Sequence, residues 1–251
     1  DTLPTGFVLS AADAKTLIDR TRFAISTEET RYYLNGIFLH ETKAGDMPVL
    51  RAVATDGHRL ARVQMPLPAG AAGMPAVIVP RKAVQEIRKL IEETDGDVQV
   101  SLNDNKLRVA FETTVLTTKL IDGTFPDYER VIPSGNDKVL RVESSTFKRA
   151  VDRVATISTE KSRSVKLSLS SGTLTLSANS PDNAQATEEV DVDYGSAPIE
   201  IGFNSRYLLD IADQIDDGSK AVFALADAAS PTVVTDEGDD GALYVLMPMR
   251  V

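Results

Sequence analysis

The chain has 251 residues, a formal net charge of −10, 42% hydrophobic residues, no cysteine and two histidines, His40 and His58. Disulfides, thiol catalysis and thiolate zinc sites are excluded, and two histidines leave a multi-histidine metal centre almost no room. The length suits one large domain or two ordinary ones, and no stretch reaches the roughly 20 apolar residues that would span a bilayer.

In chain order, Asp1-Thr2-Leu3-Pro4 has neither the charged nor the apolar region of a signal peptide. The spacing of Ala14, Leu17 and Ile18 predicts an amphipathic helix over 10–25, with Ser10 as its N-cap. A β-hairpin pattern follows. Val77-Ile78-Val79-Pro80-Arg81-Lys82 leads into a helix over 83–93, and Lys106-Leu107-Arg108-Val109-Ala110-Phe111 alternates as a strand after an Asn103-Asp104-Asn105 turn. The pattern then repeats. Phe147, Val151 and Val154 mark a helix starting at Ser144 or Ser145 and ending at Ile157. Thr173-Leu174-Thr175-Leu176-Ser177-Ala178 is a strand after a Ser170-Ser171-Gly172 turn, and Glu200-Ile201-Gly202-Phe203-Asn204-Ser205-Arg206 leads into a helix over 207–215. Phe23-Ala24-Ile25-Ser26-Thr27-Glu28 recurs as Val154-Ala155-Thr156-Ile157-Ser158-Thr159-Glu160, and Asp19-Arg20 as Asp152-Arg153. Each unit is helix, strands, helix, strands. The polar, turn-rich Ile132-Pro133-Ser134-Gly135-Asn136-Asp137-Lys138 separates them, placing the domains at 1–134 and 135–251.

Counted over these helices, about eleven basic residues meet about nine acidic ones, so the helices are near +2 and the rest of the chain near −12. An acidic body with basic helices suits a polyanion held by one face, through phosphates and without base reading; ordinary solvated helix faces give the same count. Enzyme signatures are lacking. There is no P-loop and no GxGxxG, and no nucleophile elbow accompanies His58 and Asp56 in a hydrolase triad. Asp236-Glu237-Gly238-Asp239-Asp240-Gly241 has the composition of a calcium loop but not its ligand spacing, and reads as a solvated hairpin turn. No cofactor or metal is expected.

Ala54-Thr55-Asp56-Gly57-His58-Arg59-Leu60-Ala61 resembles the bacterial DNA polymerase III β subunit family, the replicative sliding clamps. Tyr32-Tyr33-Leu34-Asn35-Gly36, Val79-Pro80-Arg81-Lys82, Leu120-Ile121-Asp122-Gly123-Thr124-Phe125-Pro126-Asp127-Tyr128, Ile201-Gly202-Phe203-Asn204 and Met247-Pro248-Met249-Arg250-Val251 fit the same family in the same order. The resemblance implies an α+β fold of two tandem DNA-clamp domains, each with two helices on antiparallel sheets, corresponding to the middle and last of three family repeats. It implies a non-catalytic, cytoplasmic processivity factor whose full-length subunits pair head to tail into a ring around duplex DNA. With only two repeats present, and with the last repeat's joint near Thr156, Ile157 and Lys161 left without its counterpart, this polypeptide is not expected to close that ring.

The resemblance also implies a peptide pocket between the repeats. Leu34, Thr55, Gly57, His58, Arg59, Leu60, Pro126, Arg130 and Val131 would form one part. Asn204, Tyr207, Pro231, Val245, Leu246, Met247, Pro248, Met249, Arg250 and Val251 would form the other. The residue types suit the task. Leu34, Leu60, Val245 and Leu246 can build an apolar cleft, Met247 and Met249 can adapt to several peptides, Gly57 admits a ligand backbone, and Arg59 and Arg250 can hold carboxylates or carbonyls at the rim. Implied occupants are Gln-Leu-x-Leu-Phe motifs of the replicative polymerase, the clamp loader, repair polymerases, ligase and mismatch-repair proteins. DNA would meet Lys15, Arg20, Arg22, Arg81, Lys82, Arg88, Lys148, Arg149 and Arg153 on the helices, and Arg31, Tyr32 and Tyr33 on a loop. Two departures bear on peptide preference: Ser162 stands where some relatives carry a bulky aromatic, and Val251 ends the chain where leucine is common. The alternative is a repeat-built peptide-binding module with no DNA role.

Overall fold

A computed structural model describes residues 2–158 and 163–251. Thr159 and Glu160 of the repeated segment, Lys161 of the expected joint and Ser162 lie outside the described residues. The chain divides into two compact units, Asp1–Asp127 and Tyr128–Val251. The turn-rich 132–138 stretch lies past this division, and its Asn136 amide donates to the carbonyls of Ala224 and Pro231.

The first unit runs β1 (Thr5–Ser10), α1 (Ala11–Asp19), β2 (Gly36–Ala44), β3 (Met47–Thr55), β4 (Arg59–Pro66), β5 (Val77–Pro80), α2 (Arg81–Leu90), β6 (Asp97–Leu102), β7 (Lys106–Phe111) and β8 (Thr114–Lys119). Its strands form two antiparallel sheets, β1-β6-β7-β8 and β4-β3-β2-β5. The second unit runs β9 (Lys138–Glu143), α3 (Ser144–Ala155), β10 (Ser164–Ser170), β11 (Thr173–Asn179), β12 (Gln185–Asp191), β13 (Asp193–Tyr194), β14 (Ile199–Asn204), α4 (Ser205–Ala212), β15 (Lys220–Leu225), β16 (Thr232–Asp236) and β17 (Asp239–Leu246). Its sheets are β12-β11-β10-β14 and β13-β9-β15-β16-β17.

The internal repeat is therefore topological as well as sequential. In each unit the strand before the first helix pairs with the strand after the second, β1 with β6 and β9 with β15. In each, the strand after the first helix pairs with the strand before the second, β2 with β5 and β10 with β14. Alternation places the core. β7 buries Leu107, Val109 and Phe111, while β11 buries Leu174, Leu176 and Ala178. In the first unit Leu17, Ile18, Ile37, Ala52, Val84 and Val100 are among the side chains around an apolar cavity of about 80 Å³ between helices and sheets.

All four helices differ in extent from the sequence expectation. Ser10 caps α1 by accepting from the Asp13 N–H at 3.0 Å, and Ala14, Leu17 and Ile18 are buried, as expected. The helix stops at Asp19 instead of reaching Ile25. The buried Thr21 hydroxyl donates back to the Leu17 carbonyl at 2.5 Å, and a separate 3-10 turn covers Arg22–Ala24. α2 begins two residues before Ala83, at Arg81, because Pro80 supplies an extended N-cap and the Arg81 N–H reaches the Asn35 carbonyl at 2.9 Å. It ends at Leu90, three residues short of Glu93, where the Lys15 ammonium donates to the carbonyls of Glu92 and Thr94. α3 stops at Ala155, and α4 starts at Ser205 because the Asn204 side chain accepts from the Arg206 and Tyr207 N–H groups and caps it. The Asp236–Gly241 segment is a hairpin, but Asp236 is not solvated. Its carboxylate is buried and accepts from the Ser219 hydroxyl and the Gly238 N–H.

Candidate functional site

In the first unit the Thr-Asp-Gly-His-Arg segment is a self-bonded turn between β3 and β4. The Asp56 carboxylate accepts from the His58 and Arg59 N–H groups at 2.9 and 3.1 Å, and the Thr55 hydroxyl donates to the Arg59 carbonyl at 2.7 Å. Arg59 closes the unit behind the turn. Its Nε meets Asp56 Oδ2 at 3.2 Å, its Nη2 donates to the Phe23 carbonyl at 2.8 Å, and its guanidinium lies over the Phe23 ring. Arg59 thus braces the turn from within and is not presented at a rim. Asp56 serves the turn's N–H groups and Arg59, an arrangement that holds backbone geometry and does not build a hydrolase triad. Gly57 and His58 face solvent, Thr55 is half-buried, and Leu34 and Leu60 are buried in the core. Pro126 is exposed beside Phe125, which stacks on Phe38 at 4.7 Å.

In the second unit β17 ends by burying Tyr244, Val245 and Leu246. The apolar side chains that reach the surface are different ones: Val131, Met247 (36% exposed), Met249 (39%) and Val251 (64%). Leu34, Leu60, Val245 and Leu246 therefore form the floor of their own units, and the methionines and Val251 supply accessible apolar surface. The tail is seated by a backbone hydrogen bond from the Met249 N–H to the Gly202 carbonyl at 2.7 Å. A Cβ on Gly202 would lie 2.3 Å from Val251 Cγ1 and 2.8 Å from the Met249 oxygen. Only a glycine in β14 lets the tail lie this close. Gly202 was not among the sequence-derived site residues, although a lone glycine inside the alternating Ile-Glu-Ile-Gly-Phe-Asn strand is the pattern that signals close backbone approach. Pro231 and Tyr207 are half-buried, Arg130 and Arg250 are exposed, and the Asn204 amide oxygen is engaged as the α4 cap.

Sequence comparison matches residues 8–127 to the central domain, and residues 129–250 to the C-terminal domain, of the DNA polymerase III beta subunit. The chain belongs to the DNA polymerase III beta subunit family. The beta sliding clamp of Caulobacter vibrioides (strain NA1000 / CB15N) is 57% identical over 235 residues, which are 94% of this chain and 63% of that protein. The Escherichia coli (strain K12) beta sliding clamp is 40% identical over 247 residues, 98% of this chain and 65% of that protein. A Bartonella birtlesii sliding clamp crystallised with griselimycin superposes with a TM-score of 0.96 at 53% identity, covering 100% of this chain and 68% of that one. The chain thus spans less than two thirds of the length of the curated relatives it matches.

As a DNA polymerase III beta subunit family chain, the protein carries its positive charge unevenly. Over the helices as they stand, nine basic side chains meet five acidic ones, a larger excess than the sequence limits suggested. Many are internally engaged. Lys15 caps the end of α2, Arg88 bridges Asp19 at 2.7 Å and also meets Glu92, Lys148 meets Asp217, and Arg153 pairs with Glu188 and holds that carboxyl below its usual range. Arg22 and Arg31 approach Asp19 and Glu28 at 3.5 Å, and Arg149 lies near Glu143. Arg20 is half-buried. Arg81 and Lys82, at the exposed start of α2, have no ion pair among the described residues. Tyr32 is 53% exposed and packs edge-on to Tyr33 at 5.7 Å.

Among the described residues no cluster of His, Cys, Asp and Glu could hold a metal ion, and no helix is long and apolar enough to cross a membrane. One carboxylate is poorly placed. Asp213 is the C-cap of α4, where burial pushes its carboxyl up; Lys148 opposes this, and the neighbouring Asp210, Asp217 and Asp152 each add a smaller raise. A raised folded value means the ionised form is disfavoured in the fold. The cost is present above that value and disappears as pH falls through it. Asp213→Asn is therefore expected to stabilise the protein at neutral pH by about 0.5 kcal/mol, the scale of a solvent-screened charge at a helix C-terminus. Urea unfolding of both forms at neutral and acidic pH checks this: the gain should fade on acidification.

Proposed function

We propose that the chain is the peptide- and DNA-engaging part of a sliding clamp, a non-catalytic, cytoplasmic processivity factor. In the full-length protein two subunits pair head to tail around duplex DNA, and partners dock through short apolar motifs. The observation that carries the reading is the tail Met247-Pro248-Met249-Arg250-Val251, with Met247, Met249 and Val251 exposed and the Met249 N–H bonded to the Gly202 carbonyl. Two exposed thioethers on an ordered backbone suit a site that accepts several related Leu- and Phe-bearing peptides. The exposed turn Gly57-His58, with Thr55 preceding it, supplies backbone and imidazole contacts, and the exposed Pro126 is a further proposed contact. Val131, Arg130, Tyr207, Pro231 and Arg250 are further proposed contact residues; Leu34 and Leu60 belong to the core of the first unit, and Val245 and Leu246 to that of the second.

Duplex DNA is met by Arg81 and Lys82 at the start of α2 and by the Arg31-Tyr32-Tyr33 segment, with Lys15, Arg20, Arg22, Arg88, Lys148, Arg149 and Arg153 adding long-range attraction. Side chains already paired to carboxylates contribute field and few fixed contacts, which suits a protein that slides without reading sequence. The replicative polymerase, the clamp loader, repair polymerases, ligase and mismatch-repair proteins are the proposed partners.

The test is fluorescence anisotropy with a labelled Gln-Leu-x-Leu-Phe peptide. The Met247→Ala, Met249→Ala double variant should bind at least about 30-fold more weakly, roughly 2 kcal/mol, since two anchoring side chains are removed. An unchanged affinity overturns the peptide reading.

A further inference from the structure

The segment Arg31-Tyr32-Tyr33 is wedged between two glycines of the first unit. On one side is Gly57, in the left-handed region at φ 90°, where the Arg31 Nη1 atom lies 2.9 Å from the position a Cβ would take. On the other is Gly123, whose Cβ would lie 3.1 Å from Tyr33 Cβ and 3.2 Å from Tyr32 Cε2. Arg31 is itself a break. The 3-10 segment Glu29–Leu34 is interrupted there, at φ −108° and ψ 52°, and the guanidinium approaches Glu28 at 3.5 Å. The side chain that touches the exposed turn and the backbone that carries the two tyrosines therefore belong to one kinked residue.

We infer that Arg31 couples the two sites: a peptide docked at the Gly57-His58 turn displaces the Arg31 guanidinium and loosens the contact that Tyr32 and Tyr33 make with duplex DNA. This rests on the peptide- and DNA-binding reading above. A peptide backbone that approaches Gly57 enters the space that Arg31 Nη1 occupies. The guanidinium can withdraw toward Glu28, and the kink turns with it. The tyrosine pair packs beside Gly123, in a space that even an added Cβ would crowd, so a turn at Arg31 reorients the ring of Tyr32, the more exposed of the two. Linkage makes the effect reciprocal, so bound duplex weakens the peptide by the same factor.

The experiment measures the affinity of the protein for a fluorescent 30-base-pair duplex at low salt, with and without saturating Gln-Leu-x-Leu-Phe peptide. The expected result is a weakening of about fivefold in the wild type, the lower end of ordinary coupling between sites, and less than about 1.5-fold in Arg31→Ala. Arg31→Lys separates relay from overlap. It keeps the charge but lacks the planar fork that fills the space at Gly57, so the ratio of duplex affinities with and without peptide, taken within this variant, should fall to about one whatever its affinity for duplex alone. A peptide effect of equal size in wild type and Arg31→Lys overturns the coupling in favour of direct overlap. Binding of both probes with no effect of one on the other overturns the coupling alone. Failure of either probe to bind overturns the functional reading and the coupling with it.

Discussion

Gly36→Ala is expected to lower the melting temperature of the first unit by about 8 °C, corresponding to a loss of about 3 kcal/mol. Gly36 opens β2 opposite Pro80 of β5, and a Cβ there would stand 2.2 Å from the Val79 carbonyl oxygen and 2.9 Å from its carbon. Both are backbone atoms, so no side-chain rotation relieves the overlap and β5 must move away. That shift strains the β2–β5 ladder, the Arg81 N–H bond to Asn35 that starts α2, and the Ile121 N–H bond to Ile78. Gly135→Ala is the matched control. No atom lies within 4 Å of its Cβ position and its φ is not left-handed, so it should melt with the wild type. Calorimetry of the three proteins checks this, and coincident melting of Gly36→Ala with the control would refute the close approach.

Gly202→Ala is expected to weaken the Gln-Leu-x-Leu-Phe peptide at least about tenfold, or 1.4 kcal/mol, while shifting the overall melting temperature little. The added methyl would meet Val251 Cγ1 at 2.3 Å and the Met249 oxygen at 2.8 Å. Val251 can swing away because it is exposed, but the Met249 carbonyl cannot move without breaking the bond from its own N–H to Gly202. The tail then detaches, and Met247 and Met249 lose the fixed backbone that orders them for a ligand. Core strands β10, β14 and β17 keep their pairing, which separates a local loss of binding from unfolding. Peptide affinity within twofold of wild type would mean that tail placement has no part in binding. It would leave the methionine experiment to judge the site itself.

Some of this was readable before any coordinates. The segment repeats, the Ser10 cap and the buried faces Ala14-Leu17-Ile18 and Phe147-Val151-Val154 follow from spacing and cap chemistry, both local properties. The family followed from motifs such as Thr-Asp-Gly-His-Arg, which are contiguous because one turn makes them so. Helix ends were not legible. They depend on distant partners: the Asn35 carbonyl beneath Arg81, the Lys15 ammonium at the end of α2, the buried Thr21 hydroxyl after α1.

The amino-acid sequence by itself determined the duplicated α+β plan, the family, and the residue types available for binding, because periodicity and short motifs act within a few residues. Only the tertiary structure decided which of those residues are on offer. Burial withdrew Leu34, Leu60, Val245 and Leu246 from the surface, Phe23 drew Arg59 inward, and carboxylates on other elements engaged Arg88, Lys148 and Arg153. Exposure and charge pairing are set by neighbours that the chain brings together across tens of residues, and no local pattern encodes them.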